Sequence, residues 1–170
     1  MTFYLEKLVS SENNQSAEEK YKLLIKQLSG LLNSDDPLIS NLSNLTAALK
    51  QTFDKISWVG FYISEDRKLY LGPFQGKVAC VSIEPGKGVC GTAAANKESI
   101  IVADVNKFPG HIVCDADSKS EIVVPIINKD GSLYGVLDLD STEYSAFDEI
   151  DKQYLEEICV FLTANIIITN

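Results

Sequence analysis

The sequence predicts an α+β domain built on a mostly antiparallel sheet. Apolar residues recur at helical spacing near both ends of the chain, whereas between them they alternate in short β-branched and aromatic runs separated by turn residues. A length of 170 residues, 45% of them hydrophobic, suits one domain with a sizeable core and leaves no room for a second of ordinary size.

The first helix is expected to begin after Ser16, which stands at capping-box spacing from Glu19, and to carry Tyr21, Leu24, Ile25, Leu28, Leu31 and Leu32 on one stripe. It ends near "NSDDP". Asp36 then reads as the cap of a second helix with Pro37 at its first position, striped by Leu38, Ile39, Leu42, Leu45 and Leu49. The two form either an antiparallel pair or a long broken rod. From Ile56 the period changes, and "ISWVGFYIS", "KLYLGPF" and "KVACVSI" predict a three-stranded meander. After the turn from Pro85 to Gly88, "VCGTAAANK" is small and helix-tolerant. "SIIVADV", "EIVVPII" and "LYGVLDLD" read as further strands, the last two joined by the hairpin "NKDGS". A long loop from Asn106 to Ser120 holds Cys114 and the only histidine, His111, and a loop of that length in a compact domain is usually functional or disordered. Asp148 caps a last helix with Leu155, Ile158, Cys159, Leu162 and Ile166 on one face. The polar stretch "SSENNQS" makes residues 1–16 an expected mobile segment, leaving 17–170 as the single domain.

Twenty-four acidic residues against fifteen basic give a net charge of −9, which repels phosphate backbones and anionic lipid. Nucleic acid and membrane are therefore excluded as expected partners. The start "MTFYLEKLVSSENNQ" has no basic stretch followed by an apolar run, and nothing later approaches bilayer-spanning length, so a cytoplasmic location is expected. Cytosol keeps thiols reduced, and each of the four cysteines needs its own explanation.

Cys159 lies on the apolar stripe of the last helix, where a thiol packs as a small hydrophobe. Strand alternation sets Cys80 beside Val78 and Ser82 on one face, and taken alone it reads as filler. Cys90 follows a glycine-rich turn at a helix start, where backbone N–H groups favour a thiolate. Cys114 sits in the long loop, where a buried structural cysteine is least expected. A zinc site from Cys80, Cys90, Cys114 and His111 is chemically conceivable, but intervals of ten and twenty-four residues lack the close pairing of structural sites. "GKG" lacks the spacing and ending of a phosphate-binding loop and reads as a tight turn.

Period two places Asp138 and Asp140 on one face of their strand and Leu137 and Leu139 on the other. Either two carboxylates share a site or they are a solvated strand face. "WVGFY" likewise puts Trp58, Gly60 and Tyr62 on a common face, with the glycine leaving open space between two aromatic walls. The competing reading is that both aromatics belong to the ordinary core.

Taken together, "LGPFQGKVAC", "GKGVCGTA", "PGHIVCD", "SKSEIVVPI" and "GVLDLDS" closely resemble the free methionine-(R)-sulfoxide reductases, stand-alone catalytic members of the GAF domain family. The resemblance runs from about Trp58 to the final helix, and three cysteines fall inside matching blocks. Val113 stands where that family has alanine, and Cys159 has no part in its pattern. The resemblance implies a six-stranded antiparallel sheet with terminal helices on one face and a ligand pocket on the other. It also implies reduction of free methionine (R)-sulfoxide, electrons from thioredoxin, no metal or bound organic cofactor, and a homodimer whose interface nothing in the sequence marks. Carried over by motif, Trp58 and Tyr62 line the pocket around the methyl sulfoxide end, while Glu121, Asp138 and Asp140 hold the polar groups. Cys114 is the expected attacking thiol and Cys80 its partner in a recycling disulfide, with Cys90 the competing attacker. The alternatives are a non-catalytic small-molecule sensor of the same fold or a thiol redox switch without a substrate.

Overall fold

A computed structural model describes residues 15–112 and 114–167. The expected mobile segment lies, up to residue 14, outside the described residues, as does the departure at Val113. Two helices open the described chain, α1 (Ala17–Leu31) and α2 (Leu38–Thr52). Strands β1 (Trp58–Glu65), β2 (Lys68–Gln75) and β3 (Ser82–Ile83) follow, then helix α3 (Gly88–Asn96). The chain continues through β4 (Ile100–Val102), a single 3-10 turn at Val105–Lys107, β5 (Ser120–Ile127), β6 (Leu133–Ser141) and α4 (Glu149–Asn165). The six strands form one sheet in the order β3-β2-β1-β6-β5-β4, antiparallel at every pairing.

Alternation along the central strands sorts two apolar layers. Val59, Phe61, Ile122, Val124, Ile126, Leu137 and Leu139 face α1, α2 and α4, meeting Leu24, Leu28, Leu45, Leu49, Leu155, Ile158 and Leu162. The opposite face, with Trp58, Tyr62, Val123 and Val136, is covered only in part, by α3 through Val89, Cys90 and Ala93. Glycine at position 91 lets α3 close on its preceding turn, because a Cβ there would lie 2.3 Å from the Glu84 carbonyl oxygen. The α+β expectation holds, and the terminal helices lie on the face opposite the pocket as expected, while α3 covers part of the pocket face.

Ser16 and Glu19 form the predicted capping box, and Asp148 forms another with Asp151. Asp151 is fully buried and gathers the Tyr21 hydroxyl (2.8 Å), the Lys55 ammonium (2.7 Å) and the Asp148 N–H (2.9 Å). One carboxylate thereby fastens α4 to α1 and to the entry of β1.

Two local expectations are corrected. Pro37 is the N-cap of α2 and not its first helical residue, and Asp36 makes no side-chain cap. The turn is instead tied from inside the helix, where the Asn41 amide accepts from Asn33 N–H (2.9 Å) and donates to the Asn33 carbonyl (2.8 Å). The strand expected over "KVACVSI" shrinks to Ser82–Ile83, so Cys80 lies in a loop. Side chains take that segment's carbonyls: Trp58 Nε1 donates to Lys77 O and the Tyr62 hydroxyl to Cys80 O, both at 3.0 Å. Val78 and Val81 are turned outward, 88% and 73% exposed.

Candidate active site

Three neighbouring strands build the floor of a cleft on the α3 face. Trp58 of β1 stands opposite Asp140 of β6, which stands opposite Glu121 of β5, so the three occupy one row across the sheet. Asp138 lies two residues along β6, opposite Gly60 and Val123. The predicted pairing of Asp138 and Asp140 on one face is therefore correct, and Tyr62 joins them from β1. Helix α3 and the loops bearing Cys80 and Cys114 wall the cleft, whose lining includes Cys90, His111, Ile112, Cys114, Asp115 and Ser118.

Gly60 does not leave the space expected of it. A Cβ there would lie 2.4 Å from the Trp58 ring and 2.5 Å from Phe74 Cβ, because the indole folds over the glycine. The ring stacks on Phe74 (5.5 Å between centroids) and on Tyr62 (6.1 Å), making one continuous aromatic wall. The glycine serves the tryptophan's pose, and the cavity lies beyond it.

Burial and mutual repulsion govern the acids. Desolvation, then the charges of Asp138 and Asp140, push the Glu121 carboxyl well above the usual range. Asp138 is raised well above it too, by burial and then by Asp140. Asp140 is pushed up to about 6, again mainly by burial, although the Ser118 hydroxyl donates to it at 2.7 Å and opposes the rise. Asp138 Oδ1 is buried with no hydrogen-bond partner. Such a site holds neutral acids at moderate pH and has unused acceptor capacity for a cationic or N–H-bearing ligand.

Of the four cysteines, Cys80 and Cys114 are joined in a disulfide across 34 residues of sequence, with Cα atoms 5.5 Å apart. Cys90 and Cys159 are free and buried. Cys90 corrects the expectation of an activated thiolate at a helix start. It is the third residue of α3, and burial, followed by the Asp138 and Glu121 charges, pushes its thiol well above the ordinary value. Its sulfur is 4.0 Å from Glu121 Oε1. While Cys80 and Cys114 are joined in the disulfide, neither sulfur is a thiolate available to the zinc set considered from the sequence. Among the described residues the group with metal-ligand spacing is Cys90, Glu121 and Asp138, whose donor atoms lie within 4.8 Å of one another.

Sequence reasoning missed Ser118, although it falls in the quoted "SKSE" block; nothing local marks a serine whose partner is 22 residues away. His111, weighed from the sequence only as a conceivable zinc ligand, lines the same cleft.

Residues 42–166 match the family model described as "GAF domain". The chain is 48% identical over 167 residues to the free methionine-R-sulfoxide reductase of Saccharomyces cerevisiae, covering 90% of this chain and 93% of that one. The chain belongs to the free methionine-R-sulfoxide reductase family. Two solved structures of the family superimpose closely on it. The Neisseria meningitidis free methionine-R-sulfoxide reductase in complex with its substrate matches with a TM-score of 0.84 at 40% identity, covering 89% of this chain and 90% of that one. The Staphylococcus aureus enzyme complexed with substrate matches with a TM-score of 0.80 at 48% identity, covering 89% and 96%. Family membership and fold, both expected from the sequence blocks, are thereby borne out. Among the described residues no helix is long and apolar enough to cross a membrane.

Proposed function

We propose that the protein is an oxidoreductase that reduces free methionine (R)-sulfoxide to methionine, with Cys114 as attacking thiol, Cys80 as resolving thiol and thioredoxin as electron donor. The observation that carries this reading is a disulfide whose Cys114 lines a cleft floored by three protonatable carboxyls. Relatives and structural neighbours named for the same activity support it.

In the reduced protein the Cys114 thiolate attacks the sulfoxide sulfur while a neutral carboxyl of the Glu121, Asp138 and Asp140 group protonates the oxygen. The oxygen ends on the cysteine as a sulfenic acid, the cysteine is oxidised by two electrons, and methionine leaves. The Cys80 thiol then attacks the sulfenic sulfur, releasing water and forming the disulfide, which an external dithiol reopens. An ionised carboxylate of the same group holds the substrate ammonium, and Trp58 and Tyr62 flank the methyl sulfoxide end. Selection for the free amino acid follows from chemistry, since a peptide amide offers no charged ammonium to those acids and its chain needs an exit from the cleft. The reaction as written calls on no metal and no bound organic cofactor.

The test follows NADPH consumption through thioredoxin reductase and thioredoxin with free (R)-, free (S)- and peptide-bound methionine sulfoxide. Turnover with the free (R) form alone is expected. Equal turnover of all three contradicts the enclosed site. Ligand binding or peroxide-driven disulfide formation without turnover of any returns the sensor or redox-switch alternatives.

A further inference from the structure

The two cysteine loops meet through more than their disulfide. Lys77, three residues before Cys80, extends its ammonium to Asp115, the chain neighbour of Cys114, at 3.4 Å and to Asp117 in a closer ion pair. Its backbone is anchored separately, because Lys77 O accepts the Trp58 indole N–H at 3.0 Å. Gly76, at φ +132°, allows that approach; a Cβ there would lie 2.5 Å from Trp58 Cδ1. Asp115 is held in turn, since its Oδ1 accepts the Asp117 N–H at 3.0 Å. Thus the base of the Cys80 loop is fixed to the cleft wall, and its side chain reaches across to the loop that carries the other sulfur.

We propose that Lys77 is a positioning residue for disulfide closure, clipping the Cys80 loop onto the Cys114 loop so that the resolving thiol stays within reach of the sulfenic acid. This rests on the reading that the Cys80–Cys114 bond closes in each turnover. The step is Cys–S–OH plus HS–Cys giving Cys–S–S–Cys plus water, and Lys77 enters no bond that forms or breaks. Its side chain is 61% exposed, and that of Asp117 66%, so the clip works through charges at the surface and is screened by salt. A few-fold effect is the scale such pairs support.

The experiment oxidises the reduced protein with one equivalent of free methionine (R)-sulfoxide, quenches with an alkylating agent, and follows by mass both the Cys80–Cys114 disulfide and dimedone-trapped sulfenic acid. In Lys77→Met, closure is expected to slow by about three- to fivefold. In Lys77→Glu, which faces two acids, the slowing is expected to be on the order of tenfold. Lys77→Arg keeps the charge and closes within about twofold of the parent rate. Methionine release in the first turnover stays unchanged in all three, and trapped sulfenic acid rises as closure slows. Raising the salt to about 0.5 M brings the parent rate down toward that of Lys77→Met. Parent-like closure in the Met and Glu variants, or a parent rate that the added salt leaves unchanged, overturns the proposal. A second arm uses hydrogen peroxide as oxidant. A parent protein that closes with peroxide and not with the sulfoxide sinks the substrate reading, while the ranking of the variants under peroxide still decides the role of Lys77.

Discussion

Ser118 Oγ donates a 2.7 Å hydrogen bond to Asp140 Oδ1, a short hydroxyl contact that stabilises the ionised form of a carboxyl otherwise pushed up by burial. Because Asp140 sits at about 6, it is charged above that pH and neutral below it. If it is the ammonium-binding carboxylate, kcat/KM for free methionine sulfoxide falls as pH drops through about 6. Ser118→Ala removes the stabilising donor and moves that limb upward by about one unit, at little cost above pH 8. A pH profile whose acidic limb is identical in the variant contradicts the assignment.

The pocket acids also set a stability trend. A carboxyl whose folded pKa lies above its unfolded value favours the fold below the unfolded value, near 4, and that contribution is lost as pH rises through the folded value. Asp138→Asn removes such a group. Its melting temperature is expected to exceed the parent's at pH 7, with the gain vanishing near pH 4. Turnover should fall at the same time. Calorimetry at the two pH values, paired with the coupled assay, reads both.

Thiol roles separate by single-turnover chemistry. Cys114→Ser is expected to abolish even one stoichiometric release of methionine. Cys80→Ser is expected to keep that first release and lose sustained turnover with thioredoxin. Cys90, buried and held as a thiol, is expected to tolerate serine with first-turnover release retained. Quenched-flow measurement of methionine across the three variants decides; a null first turnover in Cys90→Ser alone reverses the assignment.

Asp151 offers a test remote from the cleft. Asp151→Ala strips the carboxylate partner from Lys55 and Tyr21 and the return bond of the Asp148 capping box, and a cost of about 3–5 kcal/mol is expected in urea unfolding. Tyr21→Phe removes one of those bonds and should cost about 1–2 kcal/mol.

Gly60→Ala drives a methyl into the indole and into Phe74, so Trp58 must move. A loss of about 1–3 kcal/mol is expected, together with a change in emission, which is unambiguous because Trp58 is the only tryptophan. An unaltered spectrum would mean that the wall relaxes elsewhere.

Much of the fold was legible because its signals are local. Capping at Ser16 and Asp148, the stripes of α1, α2 and α4, and the alternation of "LDLD" need only neighbouring residues to be read. The errors arose where distant groups overrule local period. "KVACVSI" alternates like a strand, yet its carbonyls are taken by Trp58 and Tyr62 from another strand. Cys90 sits where a helix would acidify it, yet burial, and after it the acids of β5 and β6, oppose that. The candidate site was readable as a set of blocks, while the Ser118–Asp140 bond and the reach of Lys77 depend on loops whose course no spacing announces.

The sheet ends on one side in β3, of two residues, and on the other in β4, of three. Each border strand is itself too short to template another chain's strand, and the stretches of β2 and β5 that run past them are interrupted by Pro73 and Pro125, so edge-to-edge growth of the kind that seeds aggregates gains little here.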